Sequence, residues 1–271
     1  MRISHLSRFR IATAALPTLL IWMGASACNL QFSTGVEAKD SWTRTYKVKE
    51  GATVELREPN GRIRVEAGDG DEVVVNATKV VKGPSEEAAK AALADVIIKE
   101  VATPDRVEID SSSSSSGINF RLSKHVDYDV KMPKTGKLTI KTTNGEIKVI
   151  AIAGFVKVDT VNGDIELIGI EKGAEVEAVN GRVQIEMASV GDGGVRCKTT
   201  NGQIILTVPT SAKATFAARV ANGVVHTENL TVQSTESSQR RLDGTIGGGG
   251  PEIRLDTTNG EVRIVGKSPS S

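Results

Sequence analysis

Aromatic side chains are scarce in this chain, with only 3% of its 271 residues Phe, Trp or Tyr. That argues against a groove that stacks sugar rings and against a platform for unpaired bases. Charge of one sign is lacking too: 34 Lys and Arg face 33 Asp and Glu, a formal net charge of +1, so nothing favours nucleic acid as a partner. There are 3 His and 2 Cys. His5 lies near the N-terminus, and His125 and His226 have no metal-ligand spacing, so neither a metal nor a cofactor is expected. Cys28 and Cys197 make no disulfide framework. No GxSxG, HExxH or paired-Cys motif occurs, and the Gly247–Gly250 run leads into neither a Gly-Lys-Ser/Thr triplet nor a helix. These absences together give no reason to expect an enzyme.

The longest apolar run, Ile11 to Met23, contains Pro17 and is too short for an ordinary spanning helix. Arg2, Arg8 and Arg10 precede it and Ala25-Ser26-Ala27 follow. That is the layout of a signal peptide over residues 1–28, so export to the cell envelope, periplasm or outer surface, is expected. Cys28 after small residues resembles the bacterial lipobox, whose Cys carries the lipid anchor. Ala25 stands where that motif usually has Leu, which leaves plain cleavage after Ala27 as the alternative. Lipid on Cys28 would tie the protein to the membrane.

What the chain has in quantity is one sentence repeated: VELREPNGRIRV, LTIKTTNGEIKV, VKVDTVNGDIEL, AEVEAVNGRVQI, VRCKTTNGQIIL, FAARVANGVVHT and IRLDTTNGEVRI. The turn pairs are Asn60-Gly61, Asn144-Gly145, Asn162-Gly163, Asn180-Gly181, Asn201-Gly202, Asn222-Gly223 and Asn259-Gly260. The middle five are spaced 18, 18, 21 and 21 residues apart, the mark of a stacked-repeat architecture. Apolar residues recur six and four before Asn and three and five after it. Each copy therefore reads as two half-buried strands of period two, broken at a pair that tolerates positive φ.

Two folds satisfy that pattern. A β-solenoid with Asn-Gly corners keeps the four apolar slots inward and stacks Asn144, Asn162 and Asn180 in a side-chain ladder. A meander of Asn-Gly hairpins is the alternative. The solenoid is preferred because the six residues linking tight copies, Ile150–Phe155 and Ile168–Gly173, contain an apolar residue and a Gly, enough for a third short side. An 18-residue rung would then have a perimeter near ~60 Å, three sides of ~20 Å.

Around the repeats the expectations are simple. Residues 29–41 read as a spacer and 42–265 as a single β-repeat domain with an inserted helix at 84–95, capped by Ser85. Residues 96–110 read as a hairpin, Ser111–Ser116 as a loop, 231–241 with Gly247–Gly250 as one long loop, and 266–271 as a tail. The first module and the last repeat are expected to cap the stack. Cys197 takes an apolar slot, a small buried hydrophobe. Glu146 and Asp164 share an outward slot on successive copies. Arg182 follows them and Lys148 stacks against Glu166, so a solvated face of alternating charge is the expected role rather than a catalytic pair.

The T-x-N-G-x-I-x-V repeat, the export signal, the early VELREPNGRIRV copy, the short helix and the closing DTTNGEVRI resemble the bacterial "putative adhesin" domain-of-unknown-function family. The resemblance spans roughly residues 42 to 265. It implies a β-solenoid-like envelope protein and supplies no catalytic residue. The functional expectation is a surface for adhesion or scaffolding, its contact face formed by Glu146, Asp164, Arg182 and Gln203 with Lys148, Glu166 and Gln184, toward an unknown protein or glycan. A periplasmic partner in envelope-stress signalling is the alternative. A polysaccharide-acting enzyme would need a cluster of convergent charges in a cleft.

Overall fold

Wherever apolar residues alternate on both sides of an Asn-Gly pair, a strand forms on each side of it. The computed structural model describes residues 35–112 and 122–268. Two units are distinguished, residues 1–33 and 34–271. The first, with the expected leader and Cys28, lies outside the described residues.

In the second unit the limbs before Asn-Gly are β2 (Thr53–Asn60), β8 (Lys137–Asn144), β10 (Phe155–Asn162), β12 (Gly173–Asn180) and β14 (Gly194–Asn201). The limbs after it are β3 (Ile63–Gly68), β9 (Ile147–Ile150), β11 (Ile165–Ile170), β13 (Val183–Met187) and β15 (Ile204–Pro209). In the last two copies one strand runs through both limbs, β16 (Ala214–Glu228) and β19 (Glu252–Lys267). Each limb pairs in parallel with the matching limb of a neighbouring copy, β8 with β10 and β9 with β11 for example. The fold is all-β and solenoid-like.

The corners show why Gly is needed. Backbone pairing continues through them: the Gly145 N–H donates to the Asn162 carbonyl at 3.0 Å, and the Gly163 N–H to that of Asn180 at 3.1 Å. Gly163 adopts φ +139°, a region populated essentially by glycine alone. A Cβ on it would also collide with the Gly145 carbonyl oxygen of the copy beneath.

Inward slots form continuous apolar rows. Leu56, Ile140, Val158, Val176, Cys197, Leu255 and Ala218 are all fully buried. Burying an aliphatic side chain of this size stabilises by roughly 1.5–3 kcal/mol, so these rows are the main force holding copies together. Cys197 is a free thiol inside this row, and burial pushes its pKa up.

Several expectations need correction. No third strand forms at residues 151–154, because Ala151 takes a left-handed φ of +59° and turns the chain, while Ile152 and Ile170 are still buried. The spacer is partly strand: β1 (Val36–Lys47) pairs antiparallel with β4 (Glu72–Gly83) from Val36↔Gly83 onward. Its polar sequence hides a strand held by backbone pairing, with little apolar signal. Residues 231–241 are not one long loop. They contribute β17 (Gln233–Ser238) and the start of β18 (Arg241–Ile246), which pair with each other, and β18 pairs antiparallel with β16.

The largest correction concerns order. The last copy does not cap the stack. It lies between the fifth and sixth copies: β14 and β15 pair with β19, and β16 pairs with the other side of β19. Three successive left-handed glycines, Gly247 (φ +58°), Gly248 (φ +85°) and Gly249 (φ +87°), make the turn that sends the chain back into the gap. The sixth copy, at Asn222, is the terminal one. Accordingly its slot residue Val225 is half-buried and Thr227 exposed, where equivalent residues elsewhere are buried.

At the other end the stack is closed by added strands. Beside β2 lies β6 (Arg106–Asp110), which forms a hairpin with β5 (Lys99–Thr103). Beside β3 lies β7 (Ser123–Pro133), followed by β4 and β1. Glu100 on β5 accepts from the Tyr46 hydroxyl and pairs with Arg44 at 3.5 Å, tying the outermost strands together. Helix α1 (Glu86–Leu93) starts at Ser85, whose Oγ accepts from the Ala88 N–H, and it buries Ala89 and Ala92.

Candidate binding face

Outward slots become outward rows when copies stack in register. The asparagines make the simplest one. Asn144 Nδ2 donates to Asn60 Oδ1 at 2.7 Å, Asn162 to Asn144 at 2.8 Å, Asn180 to Asn162 at 2.8 Å and Asn201 to Asn180 at 2.9 Å. The series continues through Asn259 to Asn201 at 2.7 Å and Asn222 to Asn259 at 2.9 Å. All seven turn asparagines belong to this one amide chain, in spatial rather than sequence order.

The face expected from sequence lies on the limbs after Asn-Gly, and some of its polar groups are paired. Lys148 pairs with Glu166. The Arg182 N–H donates to Asp164 Oδ1 at 2.8 Å, and Gln203 Nε2 to Glu261 Oε2 at 2.9 Å. Glu146 precedes Ile147, whose N–H donates to the Asp164 carbonyl at 3.0 Å, so Glu146 and Asp164 stand on adjacent copies. Gln184 is in register with Glu166. His226 is exposed and in register with Arg263.

The opposite limbs carry a row that the sequence reading did not single out. Three residues before Asn, every copy has a charge. In stacking order these are Arg57, Lys141, Asp159, Glu177, Lys198, Asp256 and Arg219. Aligning that slot across the seven copies would have revealed it. The ends of the row are paired within the fold: Arg57 with Glu55 at 2.6 Å, Asp256 with Arg254 at 2.8 Å, and Arg219 with Asp243 at 3.9 Å. Lys141 lies 3.7 Å from Glu55. Among the described residues no ion pair within 4.0 Å reaches Asp159, Glu177 or Lys198.

A groove runs beside this middle section. Its cavity of about 360 Å³ has Lys141, Asp159, Glu177 and Lys198 on one wall and Val161, Val179 and Thr200 on the other. Val161 and Val179 are 41% and 40% exposed, unusual for large aliphatic side chains in this chain. Smaller cavities share Lys141 at one end and Lys198 at the other and extend the same groove. Thr160 and Thr199, both buried, contribute lining residues, and their hydroxyls have no hydrogen-bond partner. Burial raises the Asp159 carboxyl above its usual range; the Lys157 ammonium opposes this and the Glu177 carboxylate adds to it. Like charges in register on adjacent strands repel, so Asp159 and Glu177 together favour a cation between them, and Lys157, with Lys141 and Lys198 in register on either side, offsets part of that repulsion. Among the described residues no three His, Cys, Asp or Glu groups converge to hold a metal ion.

A second polar centre is internal. Glu58 fills the slot two before Asn, where other copies have Thr, Ala or Val, and it is buried. Its carboxylate accepts from the Ser111 hydroxyl, the Asn60 N–H at 3.1 Å and the Val126 N–H at 3.2 Å, joining the first corner to β7. Burial pushes its pKa up, against these three donors. The Tyr128 hydroxyl, also buried, has no hydrogen-bond partner.

Stacked parallel limbs, Asn-Gly corners and strand-built ends define a solenoid-like repeat domain. The chain belongs to the family described as Toastrack DUF4097, whose model matches residues 37–265. A comparison with curated proteins finds no match. Among solved structures, it is similar to a "putative cell adhesion protein" from Clostridium sporogenes at 13% identity and TM-score 0.42, covering 84% of this chain and 100% of that one. It is similar also to a "putative adhesin" from Bacteroides fragilis at 15% identity and TM-score 0.38, covering 85% and 98%. A "putative lipid binding protein" from Parabacteroides distasonis aligns at 14% identity and TM-score 0.27, covering 83% and 96%.

Proposed function

We propose that this is a non-enzymatic, exported cell-envelope protein that works by presenting its stacked outward rows as a binding or scaffolding surface, in the manner of an adhesin. The observation that supports this reading most is the row of outward charges held in register across seven copies, with an unpaired middle section beside an open groove. A surface built from repeated strands is rigid, and it needs no moving part to present those groups. The signal-peptide layout of residues 1–28, with Cys28 as the lipid attachment point, supplies export and an anchor in this reading. The single β-repeat domain would then stand in the envelope beyond a short N-terminal linker.

Protease shaving of intact native cells tests it, with lysed cells as control and antibody detection. The reading predicts loss of the protein from intact cells. Protection in intact cells with cleavage after lysis would overturn outer-surface display in favour of a periplasmic partner of a membrane regulator.

A further inference from the structure

Within 4.0 Å the ends of the charged row are ion-paired in the fold, Lys141 with Glu55 included. Among the described residues Asp159, Glu177 and Lys198 are not, so the acidic pair between Lys141 and Lys198 is where a partner's charge fits. We propose that the groove beside Lys141, Asp159, Glu177 and Lys198 binds an extended peptide segment of a partner protein with the pattern acidic-x-basic-x-acidic. The inference rests on reading the chain as a binding surface, and it is independent of where in the envelope that surface is displayed.

In stacking order the wall reads plus, minus, minus, plus. Neighbouring strands lie ~4.8 Å apart, so the row from Lys141 to Lys198 spans about 14 Å. An extended peptide rises ~3.4 Å per residue, so three successive side chains on one of its faces also span about 14 Å. Its central ammonium or guanidinium then falls between Asp159 and Glu177, relieving their repulsion, while its outer carboxylates reach Lys141 and Lys198. The central residue's aliphatic stem lies on Val161 and Val179, which accounts for two exposed valines beside a charged row.

Other occupants fit less well. A second copy meeting this row across a two-fold axis would set Lys141 against Lys198 and Asp159 against Glu177, like charge on like. A neutral glycan would meet a charged wall, and the cavity has no aromatic side chain in its lining.

The test is an NMR titration of the purified protein with blocked peptides. Gly-Glu-Thr-Lys-Thr-Glu-Gly should shift amides on β10 and β12 around Val161 and Val179, with an affinity that falls as salt rises. Combining Asp159→Asn with Glu177→Gln should weaken it about tenfold, the loss expected when charge-assisted hydrogen bonds are removed. Inverting the row with Lys141→Glu, Asp159→Lys, Glu177→Lys and Lys198→Glu leaves the net charge unchanged. That variant should instead prefer Gly-Lys-Thr-Glu-Thr-Lys-Gly, a gain that misfolding cannot mimic. The proposal is overturned if the first peptide leaves those amides unmoved or if the Asn/Gln variant binds it equally well. Equal binding of a Gln-Thr-Gln-Thr-Gln control would overturn it too. Because the readout is purified protein, its failure is separable from the outcome of cell shaving.

Discussion

At the scale of single residues, the corner glycines and one buried carboxyl make the sharpest claims. Gly163 combines a φ of +139° with a neighbouring carbonyl where a Cβ would go, whereas Gly70, at φ +88°, has open space around it. Gly163→Ala should therefore cost about 3 kcal/mol in urea unfolding, and Gly70→Ala about 1 kcal/mol, from backbone strain alone. Equal losses would mean the corner does not stack as described. Glu58 gives a pH signature. Burial raises its folded-state pKa above the ordinary value of 4.5. Folding therefore favours the protonated form, and the linked stability is complete below the ordinary value and is lost as pH rises through the folded one. The wild-type urea midpoint should fall relative to Glu58→Gln as pH rises above the ordinary value of 4.5; a constant offset would contradict the assignment. The need for Gly at corners such as Gly163 was legible from sequence as a positive-φ requirement. The carbonyl contact was not, because it depends on which copy lies beneath. Glu58 was hidden for a related reason: its slot holds Thr in four copies, and only burial against β7 makes a carboxyl there unusual.

At the scale of elements, the asparagine chain and the inserted strand matter most. Asn162 both donates to Asn144 and accepts from Asn180, while Asn222, at the end, only donates to Asn259. Asn162→Ala should cost about 2 kcal/mol and Asn222→Ala about 1 kcal/mol, at roughly 1 kcal/mol net for each hydrogen bond. Thermal or urea unfolding of the two variants side by side checks the ordering, and a larger loss at Asn222 would contradict it. Removing everything after Gly250 deletes an interior rung rather than an end. The truncated protein should lose cooperative unfolding, followed by circular dichroism, instead of behaving as a shortened stack. The seven copies could be counted from sequence because apolar periodicity is local. Their spatial order could not, since each copy presents nearly the same pairing edge. Identical slots make the gap between the fifth and sixth copies as good a fit for the seventh copy as the end of the stack. The exposed strand β17 escaped notice because a Ser-rich segment carries no apolar alternation and is held by backbone pairing and polar contacts such as Glu236 with Arg241.

Across the whole unit, the two outward faces carry different charge rows. The limbs after Asn-Gly carry the rows that the sequence pointed to, where Lys148 pairs with Glu166. The limbs before it carry the row in which, among the described residues, Asp159, Glu177 and Lys198 make no ion pair within 4.0 Å. Which charges are paired within the fold could not be read from the slots alone, because internal neutralisation depends on rungs that are far apart in sequence, as Lys141 and Glu55 are. The presenting surface exists only if the copies form one ladder with the last strand locked inside it, and native-state hydrogen exchange reads that directly. Amides of β19 from Ile253 to Ile264 should exchange only through global unfolding, while those of β17 and of residues 224–228 open far earlier. If β19 instead exchanges as early as β17, the last strand is a terminal cap, and the continuous row of charges across seven copies does not exist.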